Sequence, residues 1–241
     1  MSLLDLFKKG GSAPQCSAVI VAAGSSVRMG SDKLAAQLGS SSVLLRTLRA
    51  FESSEYVSEI VVVTRMDKVS EIADLCAQEA VSKVSKVVAG GKTRMESSLI
   101  GVSSVKPGAK LIAIHDAARP LVSEALIKRV VCAAAEHMAA VPVIPSTDTL
   151  KIVDSDNRVI GTVDRETTFR VQTPQVFDAI LIKGALTKAA EKGLALTDDS
   201  AAMDMTGFKS FTVAGEEDNI KITTPRDLTI AEAILKSRGE L

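Results

Sequence analysis

Hydrophobic residues in this chain gather into short unbroken runs, and the segments between the runs carry a helical repeat. Ser17-Ala18-Val19-Ile20-Val21-Ala22, Ile60-Val61-Val62-Val63 and Leu111-Ile112-Ala113-Ile114 are apolar without alternation, as expected of strands covered on both faces. Apolar positions at helical spacing follow at Val43–Phe51, Val69–Ala80, Arg94–Val102 and Glu124–Met138, with Ser123 placed to cap the last and a short strand expected at Val87-Val88. Strand and helix alternate four times within the first 140 residues, which predicts βαβ units, right-handed crossovers and a mostly parallel sheet.

After Ala140-Val141-Pro142-Val143-Ile144-Pro145 the rhythm breaks. Leu150-Lys151-Ile152-Val153 and Val159-Ile160-Gly161-Thr162-Val163 flank the turn-forming Asp154-Ser155-Asp156-Asn157, the pattern of a β-hairpin. An excursion of this kind is a lid over a site or an arm toward a partner subunit. Helices resume at Ala179–Lys192 and Asp198–Met205, and Ser210-Phe211-Thr212-Val213 reads as a strand. The last helix starts with Thr224 as N-cap, Pro225 at N1 and Asp227 at N3. No repeat or linker divides the chain. The expected fold is a single α/β, Rossmann-like domain with helices on both faces of the sheet and a protruding β-hairpin arm at about 147–171. Residues 1–16 form an N-terminal extension to a domain spanning 17–241.

Composition narrows the function. Twenty-nine Lys and Arg balance 29 Asp and Glu, and aromatics make up 3% with no Trp. A nucleic-acid binder usually carries a basic excess, and single-strand binders stack bases on aromatic rings, so neither class fits. The three cysteines, Cys16, Cys76 and Cys132, are far apart and form no CxxC pair, which suits reduced structural thiols in a cytoplasmic protein. No apolar run reaches the ~20 residues of a membrane span. The first 11 residues place Asp5 within their apolar patch and Lys8-Lys9 after it, the reverse of a secretory signal.

In open parallel sheets ligands bind beyond the carboxyl ends of the strands, so the segments after the runs carry the chemistry. Ala22-Ala23-Gly24-Ser25-Ser26-Val27-Arg28-Met29-Gly30-Ser31-Asp32-Lys33 offers small residues, whose backbone N–H groups can approach phosphate, and two cations. It matches neither GxGxxG nor GxxxxGK[ST], and alone it reads equally as a turn with two solvated cations. Gly90-Gly91-Lys92-Thr93-Arg94-Met95-Glu96-Ser97 repeats the combination before a helix. His115-Asp116-Ala117-Ala118-Arg119-Pro120 follows the third run. Its carboxylate could hold a metal ion or a ribose hydroxyl, or pair with Arg119, and His115 suits a structural hydrogen bond better than a metal site. Three strand ends of one chemistry describe a cleft for a nucleoside triphosphate.

These residues bring a family into view. Ala22-Ala23-Gly24 with Arg28-Met29-Gly30 and Lys33 resembles the signature loop of sugar-phosphate nucleotidyltransferases. Together with His115–Pro120, Asp148-Thr149-Leu150-Lys151, Val163-Asp164-Arg165, Thr173-Pro174-Gln175, Thr197-Asp198-Asp199-Ser200-Ala201 and Asp218-Asn219-Ile220-Lys221-Ile222-Thr223, it resembles, in order, the motifs of the 2-C-methyl-D-erythritol 4-phosphate cytidylyltransferases. The resemblance implies attack of methylerythritol phosphate on the α-phosphorus of CTP, with release of pyrophosphate, in non-mevalonate isoprenoid synthesis. It implies catalytic roles for Arg28, Lys33, Lys221 and Asp116, and nucleotide contacts from Ala22, Ala23, Gly24, Ser25, Gly91, Lys92, Ser97 and Ala117. Asp116, Arg119, Thr149, Arg165, Thr173 and Lys221 would hold the second substrate. It further implies a homodimer in which the arm carries Thr149 and Arg165 to the neighbour's site, and Mg²⁺ or another divalent cation held mainly by the CTP phosphates and not by a protein metal site. The nearest rival is a cytidylyltransferase for another polyol phosphate, such as ribitol 5-phosphate. A nicotinamide-dependent oxidoreductase would need the missing glycines, and in a catalytically silent binding protein that keeps the fold Arg28→Ala or Lys33→Ala would leave nucleotide affinity and turnover untouched.

Overall fold

In the computed structural model, residues 13–24 and 32–241 are described, so Ser25 and Arg28, and most of the N-terminal extension, lie outside the described residues. The three apolar runs form β1 (Cys16–Val21), β4 (Val57–Thr64) and β6 (Leu111–Asp116). β1 lies between the other two, parallel to both, and β5 (Val84–Ala89) continues the parallel order beyond β4. A small antiparallel ribbon, β2 (Gln37–Leu38) with β3 (Ser41–Ser42), precedes the first described helix.

The pleat of the central strands explains why these runs do not alternate. Ala18 and Ile20 of β1, Ile60 and Val62 of β4, and Ala113 of β6 face one apolar layer. That layer is completed by α1 (Val43–Ser53), α2 (Val69–Gln78), α4 (Glu124–His137) and the terminal helix α7 (Pro225–Ser237). Val19, Val63, Ile112 and Ile114 face the opposite layer, covered by α3 (Arg94–Ser104), α5 (Ala179–Glu191) and α6 (Ser200–Asp204). Each strand position therefore meets a helix on one side or the other. The helix starts are capped as their sequences suggest: Ser42, Thr93 and Ser123 hydroxyls accept from the amides of Leu45, Glu96 and Leu126, and the Asp178 carboxylate accepts from those of Ile180 and Leu181. At α7 the Thr224 amide donates 2.8 Å to the Asp227 carboxylate.

The sheet leaves the expected parallel order in one region. β7 (Ala139–Pro145) enters the arm, and the returning chain, β10 (Phe169–Val171) and β11 (Gln175–Asp178), lies back along it antiparallel. The return is interrupted at Thr173-Pro174, whose peptide bond is cis. β11 thereby slots between β6 and β7, antiparallel to both, and β12 (Phe211–Ala214) runs parallel to β7. β11 is only four residues long and carries no alternation, so no local signal marks it. The arm between the two limbs forms its own sheet, β8 (Lys151–Val153) with β9 (Val159–Thr162). Its turn is closed by the Asp154 carboxylate, which accepts from the amides of Asp156 and Arg158, with Asn157 at φ 60°.

Candidate active site

Beyond the carboxyl ends of β1, β5 and β6 the sheet's hydrogen bonds continue for one more residue each. Ala22 N–H donates to the Val63 carbonyl, Gly90 N–H to Thr64 and Ala117 N–H to Val21. The three loops thus leave the same end of the sheet. A fourth segment joins them, because Ile222 N–H donates 2.8 Å to the Ala118 carbonyl and the Ile222 side chain is wholly buried. The residue before it, Lys221, is held over the end of β6.

These loops enclose a cavity of about 290 Å³. Of the residues expected from sequence to form a site, Ala22, Ala23, Gly24, Lys33, Gly91, Lys92, Ser97, Asp116 and Lys221 line it. The described wall also includes Arg94, so four cations face one carboxylate. Ala117 sits just beneath the wall, 1% exposed, and Ala118 takes the lining position beside it. The Gly91 turn is rigid: the Ser97 hydroxyl donates to the Thr93 carbonyl and accepts from the Gly91 amide, while the Lys92 amide donates 2.6 Å to the Glu96 carboxylate. Gly90 is demanded by close approach, since a Cβ there would lie 2.7 Å from Ser97 Oγ and 2.8 Å from the Ala23 Cβ.

Asp116 is the electrostatic centre. Its Oδ2 lies 2.7 Å from Lys221 Nζ and 3.9 Å from Arg119 Nε, and its Oδ1 lies 3.2 Å from both Nε and Nη2 of Arg94. Burial alone would raise this carboxyl, but Arg94 and Lys221 outweigh it and hold Asp116 well below the usual carboxylate range. Arg94 in turn reaches Asp199 Oδ2 at 2.8 Å. Burial opposes its charge, yet the two carboxylates leave the guanidinium raised above its ordinary value. Burial pushes the Asp199 carboxyl up against the pull of Arg94.

His115 belongs to the frame of the site. It is wholly buried, with Nε2 3.2 Å from the Arg119 carbonyl and Nδ1 3.1 Å from Thr173 Oγ1. A carbonyl can only accept, so the proton sits on Nε2, and Nδ1 accepts from the Thr173 hydroxyl. Thr173 Oγ1 also accepts from the Asp116 amide. Burial, opposed mainly by Asp116, lowers the His115 imidazole to about 3. Thr173, expected to meet a substrate, spends its hydroxyl on this network and does not line the cavity. Arg119 donates to the Asn219 carbonyl at 2.7 Å, tying the Lys221 segment to the β6 turn. Thr149 and Arg165 stand exposed on the arm, away from the cavity wall.

Arg94 and Asp199 lay within segments singled out by sequence but were not chosen as site residues. The signal for Arg94 was a cation at the start of a helix after a glycine pair, and nothing local distinguishes Asp199 from Asp198.

The comparisons with known proteins agree on one family. The chain matches the 2-C-methyl-D-erythritol 4-phosphate cytidylyltransferase family over residues 16–237. It is 40% identical over 227 residues to the enzyme of that name from Caldanaerobacter subterraneus subsp. tengcongensis, covering 91% of this chain and 98% of the relative. The counterpart from Halalkalibacterium halodurans is also 40% identical, over 92% and 97% of the two chains. Among solved structures, the 4-diphosphocytidyl-2C-methyl-D-erythritol synthase of Anaerococcus prevotii superposes with a TM-score of 0.82 at 33% identity, covering 93% of this chain and 97% of its own. The Thermus thermophilus cytidylyltransferase gives 0.74 at 32% identity, with 90% and 98% covered.

Proposed function

Because the chain belongs to the 2-C-methyl-D-erythritol 4-phosphate cytidylyltransferase family, we propose that the cavity at the ends of β1, β5 and β6 is where it performs that family's reaction. The chain is a nucleotidyltransferase that moves CMP from CTP to methylerythritol phosphate and releases pyrophosphate, in the non-mevalonate route to isoprenoids. The observation that carries the assignment of the cavity is its charge: Lys33, Lys92, Arg94 and Lys221 against Asp116 alone among the described lining residues.

The attacking group is a phosphate oxygen, already anionic near neutral pH, so no side-chain nucleophile is required. The protein must bring two anions together and stabilise charge on the α-phosphorus. In our reading Ala22, Ala23 and Gly24 wrap the nucleotide, and the Gly91 turn with Lys92 and Ser97 meets base and ribose. Ser25 continues that wrap, and Lys33, with Arg28 from the same loop, grips the triphosphate. Lys221, anchored at 2.7 Å by Asp116, faces the acceptor phosphate, and Arg119 and Thr173 support that segment from behind.

The donor set suits a divalent cation brought in with its substrate. Mg²⁺ prefers oxygen ligands, commonly one or two carboxylates plus substrate phosphates. Asp116, the carboxylate on the described wall, is already committed to Lys221 and Arg94, so the triphosphate oxygens would hold most of the ion. When bound, the ion neutralises phosphate charge.

The arm is read as the dimer contact that delivers Thr149 and Arg165 to a neighbouring site. In support, Ile152, Val153, Val159 and Ile160 are exposed on its small sheet, a patch that calls for a partner. No helix among the described residues is long and apolar enough to cross a membrane. Cys16, Cys76 and Cys132 are free thiols, in keeping with a reducing cytoplasm.

A pyrophosphate-release assay with CTP and either methylerythritol phosphate or ribitol 5-phosphate tests the assignment. Turnover is expected with the first. Lys221→Ala should lower it by roughly a hundred- to a thousandfold, as for other preorganised charge-stabilising groups; turnover with ribitol 5-phosphate alone, or a fully active Lys221→Ala, overturns the reading.

A further inference from the structure

Asp199 lies outside the cavity, yet it is the inner end of a line of alternating charges that reaches the cavity wall. We propose that Asp199 is a positioning residue of the transfer reaction, acting through Arg94 to hold Asp116, and with it Lys221, in register with the substrates. The proposal rests on the assignment of the cavity as the reaction site.

The geometry runs through four segments remote in sequence. Arg94 Nη2 is shared between Asp199 Oδ2 at 2.8 Å and Asp116 Oδ1 at 3.2 Å, and Arg94 Nε adds a second contact to that same Oδ1. Lys221 Nζ takes the other oxygen of Asp116 at 2.7 Å. Each carboxylate oxygen of Asp116 thus has its own main cation, which fixes the plane of the group and the place of Lys221 Nζ. A guanidinium is a planar fork, so holding one prong at Asp199 sets the direction of the rest.

Asp199 sits on a turn that its neighbour braces. It is 1% exposed and immediately precedes α6. Its neighbour Asp198 accepts from the Gln175 amide group at 2.9 Å, the Ser200 hydroxyl and the Ala201 amide, and Gln175 Oε1 accepts from the Ser200 amide. Gln175, on β11, is wholly buried. The two acids of this motif therefore divide the work, Asp198 locking the turn to the sheet and Asp199 facing Arg94.

A purely structural pair would need no connection to the cavity. The Arg94 side chain, however, is 26% exposed and lines the wall beside Lys33, Lys92 and Lys221. A triphosphate attracts every cation within reach, screened least where water is excluded. Asp199 opposes that attraction on Arg94. Without it the guanidinium would turn to the phosphates and release Asp116 Oδ1, freeing Lys221 to shift.

Steady-state kinetics of the full-length protein with CTP and methylerythritol phosphate tests this, together with thermal melting of each variant. Asp199→Asn and Arg94→Met should each lower kcat by roughly ten- to a hundredfold, the scale of a misplaced reacting group, with the KM for CTP within about threefold of the unaltered protein. If Asp199 works through Arg94, the double variant is no worse than the poorer single variant. Arg94→Lys keeps the charge but loses the planar fork and the Nε contact to Asp116 Oδ1, so it should lose kcat while melting close to the unaltered protein, and it decides the matter should Asp199→Asn fail to fold. Unchanged kcat in a folded Asp199→Asn or in Arg94→Lys, or losses that multiply in the double variant, overturns the proposal. Lys221→Ala separates the two levels of inference. If it loses turnover while Asp199→Asn and Arg94→Lys keep theirs, the positioning role alone fails; if it stays active, the cavity assignment fails and the positioning role with it.

Discussion

Acid should destabilise this protein through His115 in particular. The imidazole is wholly buried between the Arg119 carbonyl and the Thr173 hydroxyl, and burial lowers it from 6.5 to about 3. Between those two values the unfolded chain binds a proton that the folded chain refuses. Stability therefore falls as the pH drops through this window, by at most about 1.4 kcal/mol per pH unit for one site. From about pH 7 to pH 5 that integrates to about 2 kcal/mol, a sizeable fraction of a typical domain's stability. Guanidinium unfolding at a fixed protein concentration and at several values across the window measures it, with His115→Gln as the comparison. The variant loses some stability at every pH because the network around Thr173 is disturbed, but its profile should be flatter than that of the unaltered protein by about 2 kcal/mol between about pH 7 and pH 5. Parallel profiles would refute the argument, since His115 would then titrate alike folded and unfolded.

Two other outcomes follow from geometry elsewhere. Gly90→Ala places a methyl group against Ser97 Oγ and the Ala23 Cβ, both from residues lining the cavity; initial rates at varied CTP should show kcat/KM reduced about tenfold, with a stability loss of about 1–3 kcal/mol by chemical unfolding. Ile160→Asp puts a charge on an arm residue that is 64% exposed; on the proposal that the arm is the dimer contact, light scattering after gel filtration should show a dimer for the unaltered chain and a monomer for the variant, and turnover should fall with it.

Much of the fold is written in local pattern. A strand covered on both faces reads as an unbroken apolar run, and β1, β4 and β6 were legible for that reason. Helix starts carry their own caps, and Ser123, Thr224 and Asp227 marked two of them. The loops after β1, β5 and β6 were legible too, because small or charged residues of one chemistry recur at three strand ends. The arm showed itself as strand-like sequence around an Asx turn.

What stayed hidden depends on which chain segments the fold brings together. β11 is too short to announce itself, and its place between β6 and β7 follows from the return of the arm along β7. Thr173 was expected beside the second substrate, and only the sheet reveals that its hydroxyl also donates to His115 and accepts from the Asp116 amide. Ala117 and Ala118 are indistinguishable in sequence, and the hydrogen bond that continues the β1 ladder decides which one reaches the cavity. Asp198 and Asp199 are likewise adjacent and alike, and the direction of the chain entering α6 sends one to Gln175 and the other to Arg94. Periodicity and capping are properties of neighbours in sequence, so the residues alone determined the buried central strands, most helices and the cationic loops. Charge pairing is a property of neighbours in space, so only the packed sheet decided which carboxylate holds which cation.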